Sequence, residues 1–172
     1  MHKRSTIDEC KYYNCCYINE QLRAVRKKGA GMWCSKILVA YDGSNAAKKA
    51  LDLAFQIAEQ DPSITLVLTH VLHIVSSPAA GIGASAIVIE DAEPVRLELE
   101  AYAARAKNLS TVKLLKGTFA ADLIVECAKE QECDLIVMGS RGRGGVKGYL
   151  GSVSYAVTKN SPITVLIAKD DD

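Results

Sequence analysis

Five apolar-rich runs punctuate the chain from residue 36 onward: KILVAY (36–41), ITLVLTHVL (64–72), TVKLLK (111–116), LIVM (135–138) and ITVLIA (163–168). The first is continuous rather than alternating, which marks a strand covered on both faces. Between the runs, apolar positions recur at helical spacing. Ala47, Ala50, Leu51, Ala54, Ile57 and Ala58 predict a helix over 46–60, with Ser44 or Asp42 as its cap and Asp61-Pro62 as its end. Leu99, Tyr102, Ala103, Ala106 and Leu109 predict the inner face of a helix over 90–108, and Pro94 suits its first turn. Leu123, Ile124, Cys127 and Ala128 do the same for a helix over 119–131, and a short helical stretch opens at Ser152. The order β-α-β-α-β-α-β-α-β predicts an α/β fold: a five-stranded parallel sheet, doubly wound and Rossmann-like, with right-handed crossovers and helices on both faces. Such sheets bind ligands beyond the strand C-termini, where the strand order reverses. The first strand runs into Asp42 and the fourth into Gly139, so neighbouring positions at the reversal would make them face one crevice.

The stretch after the fourth strand carries the clearest chemistry. It reads GSRGRGGVKGYLGSVS from Gly139, six glycines between a strand and a helix start. Glycines let backbone N–H groups approach a ligand closely, and a helix N-terminus adds unpaired donors and partial positive charge, so this is a phosphate-binding arrangement. It is not a P-loop, because no Gly-Lys-Ser/Thr ends it. Nor is it a G-x-G-x-x-G fingerprint, since Gly142-x-Gly144 meets Lys147 where the last glycine belongs.

A length of 172 residues with about half of them apolar fits one globular domain. The net charge of +1 gives no electrostatic reason to expect nucleic acid. No apolar run approaches the ~20 residues of a membrane span, and the N-terminus has no apolar signal region, so a cytoplasmic location is expected. The charge is unevenly placed: residues 1–35 hold seven Lys/Arg and three Asp/Glu, against fourteen and seventeen in the rest. Residues 1–34 are therefore read as a basic, Cys- and Tyr-containing extension and 35–172 as the folded domain. Four of the six cysteines (Cys10, Cys15, Cys16 and Cys34) fall in that extension, outside the expected core. Met32 offers a second start just before the first strand, which would make the preceding residues an upstream extension. A metal or redox arm is the alternative, but the cysteines lack a paired C-x₂-C spacing. Reduced thiols are expected throughout.

The first strand ending VAYDGS, the second ending THV, and DLIVMGSRG followed by GSVS and PITVLIA together resemble the universal stress protein family, over residues 35–169. The family signature is Gly, two residues, Gly, nine residues, then Gly-Ser or Gly-Thr. Gly139-Ser-Arg-Gly142 fits its start, while eight residues (143–150) precede Gly151-Ser152, one fewer than the pattern. The resemblance implies strand order 3-2-1-4-5 and a homodimer made through the last strand, residues 163–168. Asp42 matches the subclass that binds ATP, alone or with Mg²⁺. Carried over, the Asp42 carboxylate accepts from the ribose hydroxyls, with Ala40 beside it at the entry, and the Val71 backbone meets the adenine edge. Met138 and Gly139 line the adenine–ribose wall, Gly142 lets the loop approach ribose and phosphates, and Gly151, Ser152 and Val153 supply phosphate donors.

The residues read alone agree: an apolar slot for a base, a carboxylate for a diol, and glycine N–H groups for phosphates. Arg141, Arg143 and Lys147 either add charge there or form a solvated loop surface. His70, inside an apolar run, reads as a packed, hydrogen-bonded histidine rather than a catalyst. Cys127 and Cys133 read as structural. Asp42 lacks the further acidic residues or nucleophile of a response regulator or phosphatase, and no catalytic set or metal-holding carboxylate pair is visible. The expectation is an adenine-nucleotide-binding stress-response module, with at most slow ATP hydrolysis or self-phosphorylation. The alternative is a nucleotide-independent dimeric scaffold whose shortened glycine loop no longer admits ATP. An enzyme transferring an AMP or phosphoryl group ranks third, because no second substrate pocket is apparent.

Overall fold

In the computed structural model, residues 33–74, 92–142 and 149–169 are described. Nine elements follow one another: β1 (Lys36–Ala40), α1 (Asn45–Ala58), β2 (Thr65–His73), α2 (Ala92–Arg105), β3 (Ser110–Gly117), α3 (Ala120–Glu130), β4 (Leu135–Gly139), α4 (Ser152–Asn160) and β5 (Thr164–Ala168). The sheet is parallel throughout, in the order β3-β2-β1-β4-β5. This is the five-stranded doubly wound fold and strand order expected from the sequence. The order reverses between β1 and β4, where Ala40 pairs with Met138.

Continuous apolar strands are needed because each sheet face carries helices. Ile37 and Val39 of β1, Leu66 and Leu68 of β2, and Leu135 and Val137 of β4 pack on one face against α1 and α2. Leu38, Val67, Ile136 and Met138 point the other way, against Ile124, Val125 and Ala128 of α3 and Val157 of α4. The alternation along each strand fills two cores with one sheet.

Several expectations change in detail. The second helix ends at Arg105 rather than continuing to 108, and Leu109 is 70% exposed instead of inward. The chain leaves the helix because the buried Asn108 side chain turns inward. Its Nδ2 donates toward the carbonyls of Ala58 (3.0 Å), Asp61 (2.9 Å) and Ile64 (3.0 Å), adding to the backbone bonds that Ala58 O and Asp61 O already accept from Asp61 N and Ile64 N (3.1 Å each) at the α1–β2 turn. The Leu109 carbonyl then accepts from Leu66 N (2.9 Å), so its backbone serves the β2–β3 ladder while its side chain faces outward. Val95 and Val125 join the core beside the positions read from periodicity. Cys34 also departs from expectation. It is 1% exposed and packs in the α1–α2 core with Ile64 and Leu135, because the chain is already beneath the sheet two residues before β1.

At the N-terminal end of the sheet, the Asp134 carboxylate accepts from Ser35 N (2.7 Å), Ser35 Oγ (2.7 Å) and Lys36 N (3.0 Å). That joins the starts of β1 and β4. Expectations for residues 1–32, the loop over 76–85, the Ile87-Val88-Ile89 piece, positions 143–148 and the tail over 170–172 lie outside the described residues.

Candidate functional site

Above the C-terminal ends of β1, β2 and β4 lies a cleft of 650 Å³, a size typical of small-molecule sites. All nine residues singled out from the sequence line it: Ala40, Asp42, Val71, Met138, Gly139, Gly142, Gly151, Ser152 and Val153. The strand reversal explains their meeting. β1 and β4 are neighbours, so the turn carrying Asp42 and the loop beginning at Gly139 leave the sheet side by side.

One wall is apolar. Val71, Met138 and Val153 belong to or pack against the α3–α4 core, and Ile124 extends the surface. The opposite wall begins with β1 continuing past its last paired residue. Tyr41 N donates to Thr69 O (2.8 Å), and the Tyr41 carbonyl lies 2.8 Å from His70 Nδ1. A carbonyl only accepts, so His70 Nδ1 is the donor in this contact. His70 is thus hydrogen-bonded as expected, but it is half-buried and lines the cleft instead of sitting in the core. The chain then turns at Gly43, whose φ of 79° is the left-handed conformation that glycine adopts without strain. Ser44 caps α1 by accepting from Ala47 N (3.1 Å), and its own N–H donates to Asp42 Oδ1 (3.0 Å).

The glycine segment is held residue by residue. Gly139 lies against the α1 backbone: a Cβ there would come within 2.8 Å of Ala46 C and Ala47 N. Its carbonyl accepts from Ser154 Oγ (2.8 Å). Ser140 N donates to Ala168 O (2.7 Å), and its carbonyl accepts from Gly151 N (2.8 Å). The Arg141 carbonyl accepts from Ser44 Oγ (3.2 Å). A Cβ on Gly142 would lie 2.6 Å from Asp42 Oδ2. Gly151 opens α4 with no side-chain cap, and Ser152, Val153 and Ser154 of the first turn line the cleft. The first-turn N–H groups of a helix have no intrahelical acceptors, so this end favours an anion.

Chemically, the cleft offers an apolar slot, a carboxylate at its rim and an uncapped helix start. No group of three or more His, Cys, Asp or Glu among the described residues is placed to hold a metal. Burial pushes the Cys34 thiol up to about 12 and the Cys133 thiol up to about 11, and raises that of Cys127. These thiols are free and buried, with little thiolate to act as nucleophile. No helix among the described residues is long and apolar enough to cross a membrane. Sequence reasoning read Ser44 only as a cap and missed Ser154. Hydroxyls facing another loop's carbonyl leave no mark on periodicity.

The model of the universal stress protein family matches residues 34–169. A universal stress protein of Thermus aquaticus is 35% identical over 136 residues, covering 77% of this chain and 97% of that one. Among solved structures, a universal stress protein in complex with cAMP is 28% identical at a TM-score of 0.59, covering 80% and 98%. The hypothetical protein MJ0577 shares the fold at a TM-score of 0.69 and 23% identity, covering 82% and 99%. With the strand order, the cleft and the glycine segment all in place, the chain belongs to the universal stress protein family.

Proposed function

We propose that this protein binds an adenine nucleotide, ATP, in the cleft between β1 and β4, and acts as a homodimeric stress-response module in the cytoplasm. The observation that carries this reading is the convergence of three unlike surfaces: the Val71–Met138–Val153 slot, the Asp42 carboxylate and the uncapped α4 start. A flat base suits the first, a ribose diol the second and phosphates the third. The solved universal stress protein in complex with cAMP supports an adenine nucleotide as the ligand class.

Ala40, Asp42, Val71, Met138, Gly139, Gly142, Gly151, Ser152 and Val153 are the proposed contacts. Mg²⁺, where present, would come with the phosphates, since the described residues supply no metal cluster of their own. No side chain is assigned a catalytic role, so ATP turnover by hydrolysis or self-phosphorylation is slow at most. For the dimer, the support is β5. It is an edge strand, and Val165, Leu166 and Ile167 remain half-exposed although they pack on the cores. An unpaired edge with apolar flanks is suited to a second copy of itself. The free buried thiols fit a reducing compartment.

The deciding experiment is to purify the protein without added nucleotide, denature it and assay the supernatant for adenine nucleotides. An ATP titration with and without magnesium follows, with sedimentation for the oligomeric state. Stoichiometric ATP or micromolar binding is expected. A dimer that ignores millimolar ATP would replace this reading with the nucleotide-independent scaffold, the outcome foreshadowed by the short loop over 143–150.

A further inference from the structure

The segment 139–142 forms one side of the cleft, and most of its ties come from the β4 side of the sheet. Ser154 and Gly151 belong to α4 and its cap, and Ala168 belongs to β5. The Arg141 carbonyl is different: it accepts from Ser44 Oγ, across the strand reversal. Ser44 has one hydroxyl hydrogen. The same oxygen accepts from Ala47 N (3.1 Å), so its lone pair serves the α1 cap while its hydrogen serves Arg141. The backbone N–H of Ser44 meanwhile holds Asp42 Oδ1 (3.0 Å). One buried residue thus touches the helix, the rim carboxylate and the glycine segment, yet does not itself line the cleft.

We propose that Ser44 is the positioning residue that registers the two walls of the cleft, its hydroxyl holding Arg141–Gly142 against the Asp42 turn. The proposal rests on the nucleotide reading for its effect on affinity, but not for its effect on the segment. The spacing at the junction gives the clamp its consequence. Gly142 approaches Asp42 so closely that a Cβ there would displace the carboxylate from its place. A shift of that segment by a fraction of an ångström therefore changes the distance between carboxylate and loop. Truncation to alanine would keep the backbone N–H on Asp42 and delete the tie to Arg141. Buried Ser44 leaves little room for water to substitute for the lost donor.

The test uses the full chain and two variants, Ser44→Ala and Ser44→Thr. Threonine keeps the hydroxyl and is itself a helix cap. Hydrogen exchange of residues 140–142 is measured without ligand, and ATP affinity by titration. Ser44→Ala is expected to speed exchange of that segment about tenfold and to weaken ATP about five- to tenfold, the scale of one lost hydrogen bond. Ser44→Thr should restore both. Exchange unchanged by Ser44→Ala overturns the clamp whether or not ATP binds. Faster exchange with unaltered affinity overturns the positioning role, leaving Ser44 a cap. Wild-type protein that binds no ATP defeats the nucleotide reading, and the exchange rates alone then decide the clamp.

Discussion

Gly142 and Asp42 occupy adjacent space at the cleft rim, so that a Cβ on residue 142 would sit 2.6 Å from Asp42 Oδ2. The glycine in this signature position is required first by a side chain of the protein itself. Room for a ligand follows from that contact, because the carboxylate can stay where Ser44 N holds it only if residue 142 has no side chain.

Gly142→Ala should therefore weaken ATP binding about tenfold or more while changing stability by less than about 1 kcal/mol. The atom in the way is the end of a flexible side chain, so Asp42 can rotate aside, but it then gives up the Ser44 N–H. Titration calorimetry beside thermal melts separates the two effects. Unchanged affinity would remove the Asp42–Gly142 contact from the site.

Gly139→Ala should behave in the opposite way. Its Cβ would meet backbone atoms, Ala46 C and Ala47 N at 2.8 Å, and neither can turn away without moving α1 off β4. A loss of about 2 kcal/mol or more is expected, as for overpacking in a close-packed interior. Denaturant unfolding measures it, and a melt at the wild-type temperature would show that the helix has more freedom than this contact allows.

Asn108→Ala removes the amide facing the Ala58, Asp61 and Ile64 carbonyls. Its two hydrogens are shared among three acceptors, of which Ala58 O and Asp61 O keep the backbone N–H groups of Asp61 and Ile64. The expected cost is about 1–2 kcal/mol. ATP affinity measured below the new midpoint should not change, since the turn lies at the opposite end of β2 from the cleft.

Acid stability should report on Asp134. Burial pushes its carboxyl up, but the hydrogen bonds from Ser35 and Lys36 outweigh this and hold it below the usual carboxylate range. A folded-state value below the unfolded one, about 3.9, stabilises the fold fully above roughly pH 4. The contribution is lost as pH falls through the folded value. Asp134→Asn should thus lower the melting temperature at pH 7, and the gap to wild type should narrow as the pH is taken down. A gap independent of pH would mean the charge contributes nothing.

The chain's own pattern determined a good deal. Continuous apolar runs joined by helical spacing dictate a parallel sheet covered on both faces, and the glycines after LIVM mark where a backbone must come close to something. Such features are local: they repeat with the period of the strand or helix that carries them. What the glycines come close to was decided only by the fold. Gly139 meets α1 and Gly142 meets Asp42 because β1 and β4, nearly a hundred residues apart, are neighbours at the reversal. The same holds for Cys34 in the core, for Asn108 turned onto three carbonyls and for the Ser44 and Ser154 hydroxyls on the glycine segment. A polar side chain's partner is chosen by three-dimensional neighbourhood. Periodicity reports only which face a residue occupies, so those contacts had to wait for the tertiary structure.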